Sequence, residues 1–213
     1  GYEGIAYNPD KKRYYLLVES REQEGGQYRA EIIEYDDTLS YVKSRPVDFE
    51  FESKNKGFEA VCHVRRDNQD YLLALCEGNK CRGGRKGRKP GGGRVQLFEK
   101  NKKRWSHVGR IKLPKSVLFQ DYSGMAIDDH RVAIVSQENS MLWIGVFEEA
   151  GWSWRDVGET YQFPRTTEGQ ISYGNVEGVA WLTPSRFVTV SDRRKKDHPE
   201  RFADKDQSIH VFD

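Results

Sequence analysis

The chain has 213 residues, 36% hydrophobic and 32% charged, with 35 lysines and arginines against 33 acids. A net charge of +2 excludes electrostatic targeting by the chain as a whole, so any such targeting must come from local patches. No apolar run approaches the roughly 18 residues that a membrane-spanning helix needs. Three cysteines form no disulfide framework. Cys62 and Cys76 fall in apolar strand runs and read as buried free thiols. Cys76 and Cys81 bracket a loop and could pair in an oxidising compartment.

Residues 1–50 read as four strands. Tyr2 to Tyr7 leads through the turn Asn8-Pro9-Asp10 into the apolar run Tyr14 to Val18. A glycine-bearing loop follows, then Arg29 to Tyr35, the turn Asp36-Asp37, and a fourth strand around Tyr41 to Phe49. Strand, turn, strand, loop, strand, turn, strand is a four-stranded meander. The second unit, 57–114, repeats it with Phe58 to Val64, Tyr71 to Leu75, Arg94 to Glu99 and Trp105 to Leu113. The third unit, 121–164, supplies Tyr122 to Asp128, Val132 to Ser136, Leu142 to Phe147 and Trp154 to Phe163. The fourth, 175–213, supplies Glu177 to Leu182, Phe187 to Ser191 and Ser208 to Phe212, one strand short.

Each unit opens on one motif: Glu3-Gly4-Ile5-Ala6, Glu59-Ala60-Val61, Ser123-Gly124-Met125-Ala126 and Glu177-Gly178-Val179-Ala180. The polar residue recurs at 3, 59, 123 and 177, spacings of 56, 64 and 54 residues. Meanders repeating at this interval are the pattern of a β-propeller, in which each blade is a four-stranded antiparallel sheet. The expected fold is therefore all-β, a propeller with four visible repeats and an incomplete last blade. Four blades is the lower limit of the architecture, so the ring is expected to continue outside these residues or in another chain. A chain that opens inside a repeat is compatible with an upstream targeting segment, and the sequence indicates no compartment.

The loop before each first strand and the loop after each second strand should emerge on one face, because the two strands are antiparallel. That brings Glu3, Glu59, Ser123 and Glu177 to one rim with Glu19, Glu77, Asn79, Gln137, Glu138, Asn139 and Asp192. Carboxylates converging with amide oxygens are the ligand set of Ca²⁺ or Mg²⁺, and a metal set of Glu3, Glu59, Glu177, Asn79, Asn139 and Asp192 follows. The competing reading is that each motif residue fixes blade-to-blade register, since the motif recurs in almost every unit and catalytic sites are asymmetric.

The Glu-Gly-(Ile/Val)-Ala opening, the Asn8-Pro9-Asp10 turn and second strands such as Leu16-Leu17-Val18-Glu19-Ser20 resemble the phytase-esterase-like propeller family. They are similar, more distantly, to the regucalcin and gluconolactonase group. In that group a Glu of a Glu-Gly-Pro opening binds a divalent metal. Glu3 and Glu177 match the Glu-Gly part, while Ile5 and Val179 replace the proline. The resemblance implies a blade type more than an activity.

The loop from Lys80 to Arg94 carries seven basic residues, Lys80, Arg82, Arg85, Lys86, Arg88, Lys89 and Arg94, and no acid. Its six glycines read as a flexible arm. Arginine and glycine without aromatics suit phosphate or carboxylate contacts and carry no base readout. No Gly-Lys-Ser/Thr follows, which excludes a phosphate-cradling P-loop. Arg193 to Lys196 reads as a solvated charge run.

His63, His107 and His210 fall in strands as ordinary sheet residues, and none of the five histidines shows paired metal spacing. No Ser/His/Asp set suggests itself. The five tryptophans read as packing between blades. The favoured function is a non-enzymatic binding or scaffolding module that docks an acidic protein surface through the basic loop. The alternatives are a divalent-metal-dependent hydrolase of phosphoesters or lactones, and binding of nucleic acid or another polyanion.

Overall fold

A computed structural model of the chain describes residues 1–52 and 56–213. It is all-β, with fifteen strands among the described residues, and it divides into two compact units, Gly1–Leu113 and Pro114–Asp213. Among the described residues no helix is long and apolar enough to cross a membrane.

The first unit holds two meanders. β1 (Tyr2–Asn8), β2 (Arg13–Glu22), β3 (Tyr28–Asp36) and β4 (Tyr41–Phe51) pair antiparallel in chain order. So do β5 (Phe58–Arg66), β6 (Gln69–Cys76), β7 (Arg94–Lys100) and β8 (Trp105–Lys112). The outer strands β4 and β8 meet in one parallel bridge, Val47 to Trp105. Along β2 the side chains of Tyr15 and Leu17 point inward and are fully buried, as the period of two requires. Trp105, also fully buried, meets the Tyr15 ring edge-on with centroids 5.5 Å apart. Lys100 stands 5.5 Å from both ring centroids and donates to Glu34 at 2.8 Å. Burial of Lys100 pushes its ammonium below the ordinary lysine range, with Glu34 opposing.

A second set of contacts joins the same two meanders at the same end of the strands, where the Tyr15 and His63 rings lie 6.2 Å apart. Asp70, at the start of β6, accepts from His63 Nε2 at 3.0 Å, from Asn8 Nδ2 at 3.4 Å and from Lys11 Nζ. His63 is thus a strand residue that also holds a buried carboxylate.

In the second unit β9 (Gly124–Asp128), β10 (Arg131–Ser136), β11 (Met141–Val146) and β12 (Glu159–Gln162) form a four-stranded sheet. β13 (Val176–Thr183), β14 (Arg186–Ser191) and β15 (Ile209–Phe212) form a three-stranded one. Trp154 to Phe163 is not one continuous strand, contrary to the sequence reading. Trp154 makes an isolated bridge to Phe147, its ring stacked 4.3 Å from that phenyl. Asp156 Oδ1 then takes the Gly158 N–H at 2.7 Å, and Gly158 adopts a φ of +66°, so the chain turns before β12 begins.

The repeated motif has a common backbone device. In β1 the register passes from Tyr2–Val18 to Gly4–Leu17, leaving Glu3 as an extra residue. The same bulge leaves Glu59 extra in β5 and Glu177 extra in β13. In the third blade both Ser123 N–H and Gly124 are matched to Val135. A bulge re-aims the side chain at its extra residue, so the motif position is displaced the same way in each repeat. The motif glycine has a separate job. A Cβ on Gly4 would lie 2.9 Å from Val61 N in the neighbouring meander, and one on Gly124 would lie 2.8 Å from Glu177 O. Side chains are excluded there because first strands pack backbone to backbone.

Candidate functional site

Two polar concentrations in the first unit draw on the residues singled out by sequence. The first lies where β2 and β6 end and β5 begins. One backbone contact is repeated at these ends: Glu19 N–H donates to Gly1 O at 3.3 Å, and Glu77 N–H to Gly57 O at 3.2 Å. This geometry brings one carboxylate oxygen from each of Glu19, Glu59 and Glu77 within 4.8 Å of the others. Burial pushes the Glu19 carboxyl above the ordinary range, and the negative charges of Glu3 and Glu77 push it further. Glu77 is partly neutralised by Lys56, whose Nζ lies 2.7 Å from each carboxylate oxygen. Glu3 lies 3.7 Å from the Gly1 amino group.

The trio could hold a divalent cation through oxygen ligands, but it differs from the six residues expected from sequence. Of those six, Glu59 joins it directly and Glu3 acts on it through charge. Asn79 is committed elsewhere: its Nδ2 donates to Gly87 O at 2.9 Å, and its Oδ1 accepts from Gly92 N at 2.8 Å. Asn139, in the second unit, accepts from Gln120 N at 2.9 Å and from Ser136 Oγ at 3.0 Å. Glu177 sits on the β13 bulge, and Asp192 is exposed with its N–H on Asn175 O at 2.9 Å. Ser123 donates its hydroxyl across blades to Val176 O at 2.8 Å, a register contact. Glu19 and Glu77 were legible as second-strand ends.

Because Glu19 has a raised folded pKa, it favours folding fully only below the ordinary glutamate value near 4, and that benefit is lost as pH rises through the folded value. Glu19→Gln is therefore expected to raise the urea midpoint at pH 7. Glu19 is only half-buried, so solvent screening limits the gain to about 0.5 kcal/mol. The gain should vanish in the same titration repeated at pH 3.5.

The second concentration is the basic loop. It carries short helical turns and internal hydrogen bonds. A disulfide joins Cys76 and Cys81, so Cys76 is not a free thiol; among the described residues Cys62 is. A 3₁₀ turn spans Asn79–Cys81, and a single helical turn, α1, spans Gly84–Gly87. Lys80 N–H donates to Gly92 O at 2.7 Å, closing the loop across its base. The Arg82 carbonyl is pressed between Gly78 and Gly87, where a Cβ on either glycine would overlap it. The glycines serve close approach, which composition alone cannot distinguish from flexibility.

Beneath this loop lies a pocket of about 340 Å³. Lys80, Arg82, Arg94, Arg110 and Lys112 line it, with His107 and Gln96 on the strand side. No carboxylate is among the lining residues. Arg85, Lys86, Arg88 and Lys89 are exposed on the rest of the loop. Sequence reading missed Arg110 and Lys112, which look like the solvent face of a strand. The register Arg94–Lys112 and Gln96–Arg110 is what gathers them. The Arg193 to Lys196 run is engaged locally: Arg194 pairs with Glu200 at 2.8 Å.

In the second unit a crevice of about 440 Å³ is lined mainly by apolar side chains, including Leu142, Phe163, Trp181, Phe187 and Phe212. Arg131 covers the Trp181 ring at 4.4 Å. The crevice offers no converging acid–base pair. Trp105 and Trp143 are fully buried, as packing residues are.

No family profile and no curated protein matches the sequence. Solved structures match at low identity. A GH43 β-1,3-galactosidase superposes with a TM-score of 0.55 at 12% identity, over 89% of this chain and 39% of that one. The glutaminyl cyclase of Myxococcus xanthus gives 0.49 at 8% identity, over 89% and 61%. The β-propeller domain of Cps50 (Swd1) from Myceliophteria thermophila gives 0.42 at 10% identity, over 89% and 47%. The chain spans less than two thirds of each. At 12% identity the galactosidase likeness shows the fold alone, and with the repeated meanders that fold is an all-β propeller.

Proposed function

We propose that this chain is a non-enzymatic binding propeller that docks an acidic protein surface through the loop from Lys80 to Arg94. The observation that carries the reading is the pocket under that loop, lined by five lysine and arginine side chains with no carboxylate among its described lining residues. Such a concavity raises the local concentration of anions and speeds their encounter. The loop is held in shape by the disulfide and by Asn79, so little ordering entropy is lost when a partner binds. The disulfide also fits an oxidising compartment.

The test uses a labelled polyglutamate peptide and the intact chain at low ionic strength. Binding is expected to weaken steeply with salt. Replacing Arg85, Lys86, Arg88 and Lys89 together by Gln is expected to weaken it at least about tenfold, since several exposed charges act in concert. Unchanged affinity in that variant would remove the docking reading.

A second reading is a divalent-cation-dependent hydrolase. It is favoured by the meeting of Glu19, Glu59 and Glu77, and opposed by Lys56, which already holds both oxygens of Glu77. A bound Ca²⁺ or Mg²⁺ would relieve the mutual repulsion of the trio. Millimolar Ca²⁺ should then raise the melting temperature of the native chain and leave that of Glu59→Gln unmoved. No shift in the native chain would discard this reading.

A further inference from the structure

We infer that the pocket beneath the basic loop is a subsite for one tetrahedral oxyanion, a phosphate or sulfate ester carried on a side chain of the protein partner. The inference rests on the docking reading and names the chemistry at its centre. Three independent features point to it.

The first is cross-strand register. Arg94 and Lys112 face each other directly across β7 and β8, and Arg110 follows on the same face opposite Gln96. Like charges placed directly opposite destabilise a sheet pair. An anion shared between them turns that repulsion into attraction.

The second is concavity. Lys80 and Arg82 close the pocket from the loop side, and Phe49 forms an apolar wall. Arg110, Arg82 and Lys80 are exposed, with their heads available to an incoming group. A pocket ringed by cationic donors suits a compact tetrahedral group with three terminal acceptor oxygens, which can meet several donors at once, better than a planar carboxylate with two. It also argues against a nucleic-acid strand. Single strands need a basic track with exposed aromatic rings for base stacking, and the loop offers no aromatic side chain.

The third is pre-organisation of the floor. Gln96 is buried, and its Nε2 faces Cys81 Sγ at 3.0 Å while its Oε1 lies 2.8 Å from His107 Nε2. The disulfide thus orients Gln96, and Gln96 orients His107 at the pocket edge. On the loop side Lys80 and Cys81 both hold positive φ, at +59° and +55°, a conformation uncommon for side-chain-bearing residues. Strained backbone of this kind concentrates at ligand-binding positions.

The test measures binding of three probes to the full chain at low ionic strength: inorganic phosphate, a phosphoserine peptide and a sulfotyrosine peptide. Each peptide is compared with its unmodified form. The modified peptides are expected to bind at least about tenfold more tightly than the unmodified ones, and phosphate to compete with them. The preferred ester identifies the source of the oxyanion. Arg82→Gln, Arg110→Gln and Lys112→Gln should each weaken that binding about tenfold. Lys102→Gln with Lys103→Gln, in the exposed turn between β7 and β8, should leave it unchanged, because those residues lie outside both the pocket and the basic loop.

Equal losses at pocket and non-pocket positions would overturn the subsite. So would modified and unmodified peptides binding alike. Failure of the docking reading is distinguishable. It would appear as loss of salt-dependent polyglutamate binding, whereas polyglutamate binding that persists without ester preference would overturn the subsite alone.

Discussion

Asp70→Ala is expected to destabilise the chain by about 3 kcal/mol at pH 7, a loss readable in urea denaturation. Asp70 and His63 are nearly buried, with side-chain exposures of 7% and 5%. Removing the carboxylate strands two buried donors, His63 Nε2 and Asn8 Nδ2, and an orphaned buried donor costs about 1–3 kcal/mol. Lys11 is half exposed and can turn to water, so its loss adds little. Asp70→Asn keeps an acceptor and is expected to lose less than half as much.

The same pair sets a pH dependence. Burial holds the His63 imidazolium below its ordinary 6.5, and the hydrogen bond to Asp70 only partly offsets that. For Asp70 burial works against ionisation, but the bonds from Lys11 and His63 outweigh it and hold the carboxyl below 3.8. Both folded values are depressed, so both stabilising contributions are whole above the unfolded values and are lost as pH falls through the folded ones. The urea midpoint should begin to fall just below pH 6.5 and fall again below about pH 4. In Asp70→Ala the second fall shrinks to what carboxyls such as Asp36 and Glu168, also held low by hydrogen bonds, contribute, and the first steepens, because His63 has lost the group that favoured its charged form. A midpoint flat from pH 7 to pH 3 would contradict this account.

The meanders were legible because the motif repeats with the strands, and a continuous apolar run such as Tyr14 to Val18 marks a buried strand at short range. Less legible was anything that depends on two strands being in register. Arg110 and Lys112 read as polar strand residues until β8 is laid against β7, when they face Gln96 and Arg94. The bulges at Glu3, Glu59 and Glu177 are likewise a property of pairing. Asn79 has the composition of a metal ligand, but its amide is used up by the loop it staples. The glycine-rich loop is ambiguous in sequence for a related reason, since a glycine required for contact looks the same there as one that lends freedom. His63 and Asp70 sit on either side of the β5–β6 turn, and only burial separates them from an ordinary exposed pair.

That distinction between contact and freedom gives the second large effect. Gly87→Ala would place a Cβ against the Arg82 carbonyl oxygen, with Gly78 closing the other side. Both obstacles are backbone, so no rotamer change relieves the overlap. Overpacking of this kind costs on the order of 3 kcal/mol when the surroundings cannot move. Here the loop is covalently held at Cys81, so the strain falls on the segment from Arg82 to Gly92 and on the Asn79 amide contacts that close it. The strands lie outside that segment and should keep their far-ultraviolet signature, while Arg82 leaves the pocket rim. Phosphopeptide affinity is therefore expected to fall about tenfold or more. Gly109→Ala, in β8 with open space around its Cβ position, should leave both stability and affinity almost unchanged. If instead Gly87→Ala binds like the native chain, the loop is mobile enough to absorb a methyl group, and the glycines serve flexibility after all.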